Sequence, residues 1–153
     1  MKRFFPILLV PALCLSAIAQ EYQAEAVLSK PEGDNFRAWI IAGTKTAIRY
    51  RTSKVSTDTT DAKIIDFATI HLMDPPEFSA AVDLFEGRKY KEAQEKFAAF
   101  KETAKPIAGM KDNHHTLSAF YELECMRKLG DYEGLQKALQ SFIKEPLTRD
   151  YQL

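Results

Sequence analysis

The sequence predicts an α+β protein, a small N-terminal antiparallel β-sheet or barrel followed by antiparallel α-helical hairpins. Three observations carry that prediction. Apolar and polar residues alternate in the first part of the chain, apolar residues recur with helical spacing in the second, and the change of period falls at Pro75 and Pro76.

The strands follow in order. "EYQAEAVLSK" puts Tyr22, Ala24, Ala26 and Leu28 on one side, and "PEGD" at 31–34 is a turn. "FRAWIIAGTKTAIRYRT" has strand-forming residues on both sides of a Gly43-Thr44-Lys45 turn, and Ile48 and Tyr50 alternate with Arg49 and Arg51, one covered face and one wet face. "SKVSTDTTDAK" reads as a polar loop, and "IIDFATIHLM" as a further strand ending at Asp74-Pro75-Pro76. A sheet of about four strands results.

Adjacent prolines cannot continue a ladder, and a residue before proline is pushed out of helical space, so a boundary falls there. Beyond it, Phe78, Ala81, Val82, Leu84 and Phe85 share a broad helix face, with Gly87 near its end. Ala93, Phe97 and Phe100 restart the pattern, and Pro106 closes it. Sliding the chain along itself until Phe78 meets Phe120 also aligns Ala81 with Leu123, Leu84 with Met126, Tyr90 with Tyr132, Ala93 with Leu135, Phe97 with Leu139 and Phe100 with Phe142. The helical period alone does not require a tyrosine at both turns, nor a phase preserved across them. The helical part is therefore read as a repeated helix-turn-helix, in which small residues let paired helices approach and aromatic ones fill the space between hairpins.

Tyr90, Ala93 and Phe97, in the order Tyr-x-x-Ala-x-x-x-Phe, and the turn Gly130-Asp131-Tyr132 followed by Leu135 and Leu139 resemble the tetratricopeptide repeat, here of an exported bacterial type. The repeat spacing, about 42, exceeds the roughly 34 of that family. Leu135 stands where a small residue is usual, no tryptophan opens either first helix, and the extra length is assigned to 101–113 as a longer second helix plus loop. The resemblance covers residues 77–146 and implies a scaffold or adaptor that holds a protein partner along the first helix of each hairpin. On those helices Val82, Phe85 and Glu86, then Glu124, Arg127 and Lys128, are the residues expected to be left for a partner, with Phe85 exposed. Two hairpins are fewer than a stable stack usually needs. Self-association or a partner is therefore expected on the last helix, with Phe142 and Ile143 as its candidates.

The N-terminus reads as an export signal. Lys2 and Arg3 precede an uncharged, mostly apolar run from Phe4 to Ile18, and Ala17-Ile18-Ala19 has the small-x-small form of a cleavage site. The run is shorter than the roughly 20 residues that span a bilayer, and Cys14 follows Leu13 rather than the small residue lipidation needs. The segments are thus 1–19, a cleaved signal peptide; 20–76, the β part; and 77–153, the hairpins. The protein is expected in the periplasm or secreted, with no stable membrane insertion after cleavage. The whole chain balances 21 basic against 21 acidic side chains, and cleavage removes Lys2 and Arg3 but no acidic residue. A mildly acidic chain remains, which lacks the positive footprint of a nucleic-acid binder. Cleavage also removes Cys14, and the lone thiol left at Cys125 cannot form an internal disulfide.

Few residues suggest chemistry. The chain contains no nucleophile elbow, Walker loop, dinucleotide fingerprint or H-E-x-x-H motif. His115, Glu122 and Cys125 share a helix face and are zinc-ligand types. With a rise of about 1.5 Å per residue, they span too much helix for one ion. Asn113 is expected to cap that helix, with both histidines in its exposed first turn and Cys125 in the core. Trp39 and Tyr50 offer a ligand platform or, more simply, sheet packing. "RYRTSK" at 49–54 is read as a solvated strand face. No catalytic residue, metal or cofactor is assigned, and no catalytic activity is expected. The alternative is a metal-dependent or small-ligand protein using the sheet-helix junction, with His71 and His115 as its acid, base or metal groups.

Overall fold

Strands form where side chains alternate between a covered and an open face, and the first of them, β1 (Ala24–Ser29), buries Ala24, Ala26 and Leu28 while its other residues are half-buried. This is seen in a computed structural model that describes residues 22–144. The expected signal segment, 1–19, lies outside the described residues. β1 turns at Gly33, whose φ of 97° favours glycine, into β2 (Asn35–Gly43). The next turn is closed by Thr44, whose hydroxyl accepts from the Ala47 N–H at 3.1 Å, and leads into β3 (Ala47–Arg51). β4 (Thr60–Lys63) and β5 (Thr69–Leu72) complete an antiparallel sheet in the order β4-β3-β2-β1-β5.

Five strands replace the expected four. β4 lies inside the stretch read as a polar loop, and it is an edge strand with only Ala62 half-buried. It is held by backbone pairing to β3 and by the Arg49–Asp61 ion pair at 2.7 Å, so it carries no apolar alternation to read. The stretch expected as one strand from Ile64 divides into a 3₁₀ turn, Ile64–Asp66, and β5, because the Asp66 carboxylate accepts from the Lys63 N–H at 3.0 Å and tightens the chain there. Lys63 and Thr69 lie on opposite edges of the sheet, about 19 Å apart across four spacings of a flat sheet. They also lie at opposite ends, Lys63 opposite Ala47 and Thr69 opposite Ser29. The connection between them, even fully extended, reaches only about 20 Å. The sheet is therefore strongly curled, with Phe67 of the connection packed on Phe36 and Tyr50 at ring distances of 6.4 and 6.3 Å.

The helices are α1 (Pro76–Glu86), α2 (Tyr90–Thr103), α3 (His114–Leu129) and α4 (Tyr132–Phe142). Pro76 opens α1 at the position where a missing N–H costs nothing, and Gly87 closes it. Asn113 caps α3 by accepting from the Thr116 N–H at 2.8 Å, and Gly130, at φ 76°, ends it. α2 and α4 begin at the two matched tyrosines, Tyr90 and Tyr132.

Sheet and helices share a core in which Ala26, Leu28, Ala38, Ile40 and Ile48 meet Phe78, Ala81, Ala93, Phe97 and Phe100. Part of the extra length between the hairpins, 104–113, is a 3₁₀ turn (Lys105–Ile107) and a plug, with Ala104, Ile107 and Met110 buried. Gly109 lies so close to the β2–β3 turn that a Cβ there would sit 2.9 Å from Thr44 Cα and 3.1 Å from the Gly43 carbonyl oxygen. α3 lies between α2 and α4. A separate small cluster, Ala119, Leu123 and Phe142 with Phe120, Leu135 and Ala138, joins α3 to α4.

Candidate functional site

The groups with the most chemistry are held in structural roles. Both α3 histidines are buried, not exposed as expected, because α2 and the β5–α1 corner pack over the first turn of α3. His114 places Nε2 2.9 Å from Asp74 Oδ1 and lies between the rings of Phe78 and Phe100. His115 donates from Nδ1 to the Lys101 carbonyl at 2.8 Å. Cys125 is fully buried, and burial with nearby Glu122 and Glu124 pushes its thiol pKa up to about 11. Glu122 instead pairs with Lys101 of α2 at 2.6 Å, a contact in which both side chains are at least three-quarters covered. His71 is exposed on β5, paired with Val27 in the register. Among the described residues no group of three or more His, Cys, Asp or Glu side chains is placed to hold a metal ion.

Trp39 and Tyr50 do not form one platform. Partners across an antiparallel pair share a face, and Tyr50 pairs with Ile40 while Trp39 pairs with Arg51 and Glu25. The two rings therefore stand on opposite faces. Trp39 looks into an open cleft of about 1030 Å³ between the sheet and helices α1 and α2. Met73, Pro75 and Phe100 supply apolar wall, and Val55 stands 90% exposed at the rim. Glu25, Glu77, Lys54 and Lys96 bring both signs of charge. Tyr22 also lines this cleft, its buried phenol pushed upward in pKa by desolvation and by Glu77.

The six expected partner-binding residues divide. Val82 and Phe85 are half-buried against the core, and Phe85 packs on Tyr90 at 5.5 Å and on Tyr121 at 5.2 Å. Phe85 is thus not the exposed aromatic expected, because α3 brings Tyr121 over it. Glu86, Arg127 and Lys128 are exposed, and Glu124 is bound by Arg127 of its own helix at 2.7 Å, which lowers the Glu124 pKa. What remains of that face is charged.

The larger apolar exposure is on α4. Tyr132 is 69%, Leu139 45% and Ile143 64% exposed. Phe142, expected on this surface with Ile143, is turned inward against Ala119 and Leu123. Tyr132, Leu139 and Ile143 fall on one line of the helix, since their separations are close to two and three whole turns.

Comparison with protein-family models, curated proteins and solved structures finds no match. The geometry therefore stands by itself.

Sequence reading reached the sheet-helix junction and Trp39 but not the remaining walls of the cleft, because these come from separate segments of the chain. Val55 sits singly between Lys54 and Ser56, and Met73 continues the run read as a strand. The α4 stripe did leave a signal. The alignment that pairs Phe97 with Leu139 and Tyr90 with Tyr132 marks positions a further element would cover.

Proposed function

We propose that the protein is an exported, tetratricopeptide-like interaction module, periplasmic or secreted, whose docking surface is the outer side of α4, the open end of a two-hairpin stack. One observation carries the reading. In the first hairpin Phe97 is fully buried because Tyr121 of the following hairpin stacks on it at 4.8 Å and 9°. Its counterpart in the second hairpin, Leu139, is 45% exposed, and nothing among the described residues follows to cover it. The same contrast separates half-buried Tyr90 from Tyr132. An apolar stripe at helical spacing beside charged residues is what an amphipathic partner helix recognises. Export rests on the N-terminal pattern alone. The test is capture from an envelope extract by the wild type and by Leu139→Glu with Ile143→Glu. Loss of captured protein at an unchanged melting temperature is expected, and unchanged capture removes α4 as the surface.

A second reading, small-ligand binding at the sheet-helix junction, is favoured by the cleft against Trp39. Trp39 is the single tryptophan of the chain, so its fluorescence reports on that cleft directly. A saturable change with a small ligand, abolished in Lys96→Glu, supports this reading. A flat response across a broad ligand screen sets it aside.

A further inference from the structure

The outer side of α4 is self-complementary, and we infer that it pairs with α4 of a second copy of this chain, antiparallel, about a two-fold axis midway between Tyr132 and Ile143. This inference rests on the reading of α4 as the docking surface and names its occupant.

The argument is one of spacing and charge. Tyr132 and Ile143 are separated by about three helical turns, or about 16 Å, and Glu133 and Lys144 by the same interval. All four are exposed. In an antiparallel pair Tyr132 lies over Ile143 of the copy at each end, and Leu139 lies close to the axis. Glu133 and Lys144 flank the stripe on one side, and a two-fold axis returns that flank to the same rim, so each Glu133 meets Lys144 of the copy. Neither residue has an ion-pair partner among the described residues. A parallel pair would put the Glu133 and Lys144 flanks of the two copies on opposite rims, so that neither charge meets its opposite, and would align the helix dipoles unfavourably. Charge thus selects the antiparallel arrangement, and the apolar stripe supplies the attraction. One helix pair is small for an interface, so the dissociation constant is expected in the micromolar range.

Sedimentation equilibrium of residues 20–153 up to about 500 μM tests it, a range set by that expected affinity. The wild type should form dimers and no larger species. Glu133→Lys alone and Lys144→Glu alone should each weaken the dimer about fivefold to tenfold. The double reversal should restore it, because each new pair is again opposite in sign. Both positions of the cycle are on the surface, so circular dichroism should show every variant folded. A wild type that stays monomeric throughout overturns the inference, as does a double variant no tighter than the singles. A chain ending at Lys144 is compared alongside. If it dimerises while residues 20–153 do not, residues 145–153 cover the stripe and the second copy is not the occupant. A monomeric wild type whose capture of another protein is still lost in Leu139→Glu with Ile143→Glu overturns the pairing while leaving α4 as a docking surface.

Discussion

Replacing Asn113 by alanine should destabilise the protein by about 3 kcal/mol, far more than an exposed helix cap is worth. The side chain is completely buried and works in two directions. Its Oδ1 accepts from the Thr116 N–H at 2.8 Å, capping α3. That capping contributes about 1 kcal/mol. Its Nδ2 donates to the Met110 carbonyl at 2.7 Å and to Thr116 Oγ1 at 3.1 Å, with the Ala108 carbonyl at 3.2 Å. Alanine leaves these acceptors buried beside a void, adding about 2 kcal/mol. Asn113→Ser retains the capping oxygen and loses the amide donors, so it should cost about 2 kcal/mol, close to 1 kcal/mol less than alanine. Urea unfolding measures both, and for a chain of this size a loss of about 3 kcal/mol corresponds to a fall of about 12 °C in melting temperature. A loss below about 1 kcal/mol for Asn113→Ala contradicts the account of the plug that joins sheet to helices. A serine variant as unstable as the alanine one contradicts the division between cap and amide.

Other sites give sharper single outcomes. The Cys125 thiol, raised to about 11, should resist aromatic disulfide reagents at pH 8 in the folded protein and react fully in urea. Its folded pKa lies above its ordinary value, so the protonated form favours folding. Stability from this group is complete below about pH 9 and falls as pH rises from there through about 11, which denaturant midpoints across that range would show. Gly109→Ala drives a methyl onto the backbone of Thr44 and should cost about 1–3 kcal/mol, read as a lower urea midpoint. Glu122→Gln removes the charge from a mostly covered contact with Lys101 and should cost about 1–2 kcal/mol, with a double-mutant cycle against Lys101→Met showing coupling.

Where a face is buried, the fold could be read from the sequence. β1, with Ala24, Ala26 and Leu28 inward, and β3, with Ile48 and Tyr50 inward, follow the alternation residue by residue, because each packs a whole face on the core. The same logic fails at β4, whose pairing is carried by backbone groups that every sequence possesses. The burial of His114 and His115 was also out of reach. It depends on Asp74 and the Lys101 carbonyl arriving from segments distant along the chain. Local polarity predicts exposure, and only tertiary partners reverse it. Phe85 shows the converse, since an apolar residue at the edge of a helix face looks available until Tyr121 of a later helix covers it. On α4 the phase between Phe142, inward, and Leu139 and Ile143, outward, differs by about a quarter turn, which only the packed helix shows.

Hydrogen exchange followed by mass spectrometry on the peptide from Gly130 to Lys144, at about 5 and about 500 μM protein, probes the surface on which the functional reading depends. α4 is joined to the rest by the small Ala119, Leu123 and Phe142 cluster, so its amides should exchange quickly in the dilute protein. At the high concentration they should slow markedly while β1 to β3 stay unchanged, because pairing covers Tyr132, Leu139 and Ile143 and steadies the helix beneath them. Equal exchange of α4 at both concentrations would mean that this face does not pair with a second copy, and the self-association proposed for the open end of the stack would be wrong.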